Sequence, residues 1–224
     1  MAPRLSIVMP VLNEAAGIGE ALAALAPLRA RGHEVIVVDG GSTDDTVELA
    51  TSRCDQVLAA PRGRALQMNA GARAATGDAL VFLHADTRLP ARADEEIAQA
   101  LAQASWGRFD VRIASERLLL SLVACAMNLR SRLTGIATGD HAIFIHRDAF
   151  RGFPEIPLME DIAFSRQMKR RARPACLRSC VMTSARRWEA RGVVRTILLM
   201  WRLRALYALG IAPQRLAREY ADQR

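Results

Sequence analysis

His84 and Asp86 close a run of apolar residues, Ala79-Leu80-Val81-Phe82-Leu83. Their spacing places both side chains on one side of an extended chain. An imidazole and a carboxylate at the end of a buried strand can hold a divalent cation, touch a phosphate or move a proton. Open α/β sheets bind ligands just beyond the carboxyl ends of their strands. The plainer reading has Asp86 capping a turn and His84 facing solvent. Three other constellations bear on the choice. Asp39 ends a second apolar run and enters the polar loop Gly40-Gly41-Ser42-Thr43-Asp44-Asp45. A carboxylate there can accept from a ribose hydroxyl or a base N–H, or cap the next helix. The loop is neither GxGxxG nor a Walker sequence, which disfavours hydride transfer and P-loop phosphoryl transfer. Glu160-Asp161 precedes a helical stretch, where acids suit the helix dipole or supply a general base. Arg186-Arg187-Trp188 can bind a pyrophosphate, or stand as an exposed basic run.

These residues need a scaffold, and the apolar pattern supplies one. Short, fully apolar runs at 5–10, 34–38, 57–58 and 79–83 predict buried strands. Helical stretches at 18–31, 46–53 and 62–74 separate them. Strand and helix in alternation predict a mostly parallel, Rossmann-like α/β sheet flanked by helices. Further on, the pattern predicts helices at 92–104, 118–129 and 162–170, and strands at 106–113, 142–145 and 181–184. The apolar stretch at 118–129 is too short to span a bilayer. A last helix at 193–208 carries Trp201, Tyr207 and several arginines. It reads as an amphipathic helix lying in a membrane interface, or one packed on the domain or a second subunit. The expected division is a catalytic domain at 1–190 and a helical tail at 191–224.

Composition bounds the partners. The chain has 224 residues, 51% of them apolar, enough for a sizeable core. Net charge is +8, nearly all the positive charge is arginine, and it concentrates after Arg147. Nucleic acid, anionic lipid and phosphate-rich substrates all suit that balance. Four cysteines without a CxxC pair predict no zinc site and a reduced, cytosolic compartment. The N-terminus shows no signal peptide.

Taken in order, Val8 to Glu14, Val37 to Thr46, Gly63 to Gly71, Gly77 to Asp86 and Glu160-Asp161 resemble family 2 glycosyltransferases. The resemblance covers roughly residues 5–190. It implies a GT-A fold and an inverting transfer from a nucleotide-sugar, UDP-linked, to an acceptor hydroxyl. It places Pro10, Asn13, Glu14, Asp39, Arg64, His84, Asp86, Arg187 and Trp188 on the donor. Asp161, with Glu160, is implied as the catalytic base. Gly139, Asp140 and His141 fall where the family places acceptor contacts. Asp86 is the surviving acid of the Asp-x-Asp motif, implying Mg²⁺ or Mn²⁺.

The chain departs from the pattern at several positions. His84 replaces the first acid of Asp-x-Asp, and Gly40 the second acid of the usual Asp-Asp-Gly-Ser loop. Met68 stands where many members have arginine, and Ser184 where the Gln-x-x-Arg-Trp motif has glutamine. Processive polymer synthesis is therefore not expected. The apolar stretches point to an amphiphilic or lipid-linked acceptor at the cytoplasmic face of a membrane. Competing readings are a nucleotidyltransferase, a nucleic-acid-binding protein and a catalytically dead relative. Residues 9–14 lack the basic triphosphate loop of the first, and few aromatics argue against the second.

Overall fold

A computed structural model describes residues 2–222, apart from the side chains of Arg187, Arg191, Ala221 and Asp222. The chain runs β1 (Leu5–Val11), α1 (Ala15–Ala30), β2 (Glu34–Asp39), α2 (Thr46–Thr51), β3 (Gln56–Ala59) and α3 (Arg64–Ala74). There follow β4 (Ala79–Phe82), β5 (Thr87–Arg88), α4 (Ala93–Leu101), β6 (Trp106–Ala114), α5 (Leu118–Thr134) and β7 (Ile143–His146). The last third holds α6 (Glu160–Lys169), β8 (Ala175–Ser184), α7 (Arg186–Arg191), α8 (Val193–Ala208) and α9 (Pro213–Asp222).

The strands form one sheet in the order β3-β2-β1-β4-β7-β6-β8-β5. Strands β1 to β4 pair in parallel, β7 is antiparallel to β4 and β6, and β8 is parallel to β6. This is the mostly parallel, helix-flanked α/β sheet that the apolar runs predict. Alternate side chains of β1 divide between two core layers. Ile7, Met9 and Val11 pack with Leu22 and Leu25 of α1 and Ile97 of α4. Val8 faces the other way, with Met68 of α3 and Phe164 of α6. Gly71 lets α3 lie directly on the sheet, since a Cβ there would stand 3.0 Å from Val38 Cγ2. A third cluster joins Met159 and Ile162 to Leu199 and Leu203 of α8 and Leu216 of α9.

Three elements differ from the sequence expectation. Helix α5 continues past Asn128 to Thr134, where Gly135 ends it at φ 69°. Asn128 is polar because its amide completes a strand. It donates from Nδ2 to Val111 O at 3.0 Å and accepts from Val111 N at 2.8 Å. β7 pairs β6 only at Trp106 and Gly107, so Asn128 covers an edge that β7 leaves open. Strand β8 begins at Ala175, and its early residues are half-exposed, which hides them from an apolar count. Strand β5 is two residues long and invisible to periodicity, but it carries the segment after Asp86 across to Thr183. Among the described residues, no helix is long and apolar enough to cross a membrane.

Candidate active site

The site lies beyond the carboxyl ends of β1, β2 and β4. Asn13, in the left-handed region at φ 53°, joins the two N-terminal loops. Its N–H donates to Ser42 Oγ at 2.9 Å, and its Oδ1 accepts from Thr43 N at 2.8 Å. Asp39 accepts from Gly41 N at 2.9 Å and from Ser42 N and Oγ. Both residues thus shape the loop, and neither borders the two cavities at the end of β4. Beneath it, Gln67 Nε2 donates to Val11 O and Val38 O, each at 2.8 Å. A Cβ at Gly40 would stand 3.0 Å from three atoms of that buried amide. The glycine at position 40 is therefore matched to Gln67.

Two cavities, each of about 540 Å³, meet at the end of β4. The first is lined by Pro10, Glu14, Arg62, Arg64, His84, Asp86, Glu160 and Tyr220 among others. Glu14 is anchored there by an ion pair with Arg186 at 3.0 Å. The second opens between α5 and α8 and includes Gly139, Asp140, Asp161, Arg130, Arg204 and Trp188. Its walls are largely apolar, from Leu122, Val123 and Met127 to Leu199, Met200 and Trp201. Arg64, His84, Asp86, Leu158, Glu160 and Tyr220 border both.

The acidic pair is held asymmetrically. Asp161 lines only the second cavity, and its carboxylate accepts from Ile162 N at 2.7 Å and Gly139 N at 3.0 Å. Two backbone donors fix the direction in which its oxygens can take a proton. Glu160 is buried, and burial together with the Asp161 charge pushes its carboxyl up to about 7. Met159, in the left-handed region at φ 69°, turns the chain so that both acids reach the site. The Arg64 guanidinium stays firmly charged: burial opposes its charge, and Glu160, Asp140 and Asp161 overcome that. His84 Nδ1 stands 3.7 Å from Asp140 Oδ1, across the seam of the two cavities.

Two residues expected at the site from the sequence lie away from the first cavity. Trp188 lines the second cavity and not the first. His141 lines neither. Its imidazole is fully buried, meets Thr138 Oγ1 at 2.9 Å and Thr138 N at 3.2 Å, and closes the short turn Gly139–His141. Burial and the nearby Arg108 charge keep it neutral, its pKa lowered to about 3. The Arg187 side chain lies outside the described residues. Sequence reading missed Arg62, Arg130, Arg204 and Tyr220, none of which carries a motif. Arg62 enters from the loop before α3, and the other three arrive where α5, α8 and α9 converge on the strand ends.

For a metal, the residues offer one imidazole and one carboxylate. Among the described residues, no group of three or more His, Cys, Asp or Glu side chains is arranged to hold an ion. Thr87 Oγ1 donates to Asp86 Oδ1 at 3.2 Å and helps orient the carboxylate. This set fits a hard cation that takes its remaining oxygens from a diphosphate and water.

A family model described as glycosyl transferase family 2 matches residues 6–118, half of the chain. The chain belongs to glycosyl transferase family 2. Among curated relatives of this transferase is an undecaprenyl-phosphate 4-deoxy-4-formamido-L-arabinose transferase of Klebsiella pneumoniae, 31% identical over 160 residues. That match covers 63% of this chain and 47% of the relative. A PGL/p-HBAD biosynthesis glycosyltransferase of Mycobacterium tuberculosis is 36% identical over 100 residues, covering 39% of this chain and 37% of the relative. The chain thus spans about half or less of the length of these relatives. Among solved structures, the mannosyltransferase PcManGT from Pyrobaculum calidifontis, in complex with GDP-Man and Mn²⁺, superposes with a TM-score of 0.65 at 23% identity. It covers 92% of this transferase and 61% of its own chain. S. aureus TarS in complex with UDP-GlcNAc gives a TM-score of 0.66 at 20% identity, covering 81% and 58%. These likenesses identify the GT-A fold.

Proposed function

We propose that this transferase moves a sugar from a nucleoside diphosphate, UDP in our reading, to an acceptor hydroxyl with inversion at the anomeric carbon. The observation that carries the proposal is the meeting of two cavities at His84 and Asp86, with Asp161 on one side only. The donor takes the first cavity, its diphosphate beside Arg62, Arg64, His84 and Asp86. The acceptor takes the second, its hydroxyl against Asp161.

In this arrangement Asp161 removes the hydroxyl proton. The oxygen attacks the anomeric carbon from the side opposite the diphosphate, whose C–O bond breaks with its electron pair on the leaving phosphate. Arg64 borders both cavities and faces the charge that develops there. Glu160 holds a proton longer than an ordinary carboxyl and keeps a second negative charge away from the leaving group. Asp86, with His84, would hold a Mg²⁺ or Mn²⁺, and that ion would supply neutralisation of the charge on the leaving diphosphate. Asp39 and Asn13 shape the loop on which the nucleoside would rest, beside Pro10 and Glu14.

The acceptor in this reading is amphiphilic or lipid-linked. Leu118, Leu122 and Leu129 on α5 are exposed, as are Val194, Leu198 and Trp201 on α8. Leu122 and Trp201 also line the second cavity, so its mouth is rimmed with apolar groups. Such a rim suits peripheral docking on a membrane, which we place on the cytoplasmic side. The undecaprenyl-phosphate transferase among the relatives favours the same class.

The test is a screen of nucleotide-sugars with Mn²⁺ or Mg²⁺, reading release of nucleoside diphosphate. One donor should be turned over, and Asp161→Asn should lose about 10²–10⁴-fold while still binding UDP. Turnover of nucleoside triphosphates in place of sugars would favour a nucleotidyltransferase.

A further inference from the structure

Arg130, on α5, and Arg204, on α8, both line the second cavity. Arg130 Nε and Nη2 and Arg204 Nε are buried without a hydrogen-bond partner. Burial opposes the charge on both, and Arg130 also feels the charge of Arg204, which lowers its pKa to about 10. Asp161 and Asp140 act on both in the opposite sense without accepting from these three atoms. Leaving buried donors unmade is costly, and two buried like charges are costlier still.

The free atoms have a shape. Nε and Nη2 of one arginine are the two parallel donors of the guanidinium's side edge, the fork that fits two oxygens of a carboxylate or phosphate. Arg204 Nε adds a third donor from the facing helix. The apolar walls of α5 and α8 surround them, and Asp161 lines the same cavity. We propose that Arg130 and Arg204 form a seat for an oxyanion carried by an amphiphilic acceptor, a phosphate or carboxylate attached to an apolar chain. Resting on the reading of the second cavity as the acceptor site, this seat explains why buried guanidinium donors stand without partners between the apolar faces of α5 and α8. The anion satisfies the arginines while the apolar chain leaves along Leu122 and Trp201.

The test uses the full chain with n-dodecyl phosphate, dodecanoate, dodecanol and inorganic phosphate, each below any micelle concentration. Binding is followed by the fluorescence of Trp188 and Trp201. Dodecyl phosphate or dodecanoate should bind at least about tenfold tighter than dodecanol. Arg130→Gln and Arg204→Gln should each remove that advantage and leave dodecanol affinity unchanged. Without ligand, both variants should melt at or above the wild-type temperature, since each removes a buried charge with unsatisfied donors. That melt also separates loss of the seat from loss of the fold. Equal affinity for dodecanol and the two anions would overturn the proposal, as would full retention of the advantage in both variants. Inorganic phosphate binding as tightly as dodecyl phosphate would overturn its amphiphilic part. UDP binding by the wild-type chain is measured in parallel. Its absence counts against the transferase reading, while the dodecyl series still decides the anion seat.

Discussion

Gly139 lies against the His84 ring, where a Cβ would stand 2.5 Å from Nε2, and its N–H donates to Asp161 Oδ2 at 3.0 Å. One glycine thus sets both the imidazole at the seam of the cavities and the base on the acceptor side. Gly139→Ala forces the ring to move and withdraws the amide from Asp161. Misplacement of reacting groups by about 1 Å costs on the order of a hundredfold. The variant should lose about that much in kcat/KM for the donor identified by the screen, with Tm within a few degrees of wild type. A wild-type kcat/KM would show that the His84–Gly139 contact does not govern the reaction.

Asp86 is the single carboxylate placed to share a cation with the diphosphate. UDP should raise the Tm of the wild-type chain more with Mn²⁺ than with chelator. In Asp86→Asn that difference should vanish, leaving the chelator value. Persistence of the Mn²⁺-dependent increment would put the ion elsewhere.

Glu160 makes stability depend on pH. Its carboxyl ionises near pH 4.5 in the unfolded chain and at about 7 when folded. The folded form therefore binds more protons between those values, and stability falls as pH rises through that window, with no further loss above it. Glu160→Gln removes the penalty. Its Tm should exceed wild type by about 4 °C or more at pH 8 and match it near pH 4.5. Equal melting temperatures at both pH values would contradict the burial of this charge.

The Gly40 departure from the family's acidic loop has a local cause in Gln67. Gly40→Asp drives a side chain into the amide that holds Val11 O and Val38 O. Overpacking of this kind costs about 1–3 kcal/mol, a fall of roughly 2–10 °C in Tm. Gly40→Asp combined with Gln67→Ala should recover part of it, measured by thermal melting.

What the sequence disclosed and what it hid divide along a physical line. The runs at β1, β2 and β4 are apolar on both faces, so their placement, and that of Asp39, His84 and Asp86 at their ends, followed from pattern alone. Glu160 and Asp161 were legible because a paired acid opens α6. Asn128 and Arg130 read as the end of a helix, since polarity in an apolar run ordinarily marks a boundary. In the fold the first completes the edge of β6 and the second faces the cavity. His141 was placed with the acceptor contacts by the family resemblance, and its burial cannot be read from the sequence. Tyr220 and Arg204 gain meaning only from α8 and α9 folding back over the strand ends, a long-range contact that no local spacing encodes.

Inversion requires Asp161 and the diphosphate to lie on opposite sides of the sugar. The most direct measurement is the ¹H NMR anomeric coupling of the glycoside formed from an α-linked nucleotide-sugar. The β-anomer is expected. An α-anomer, formed with retention, would contradict the placement of Asp161 as base.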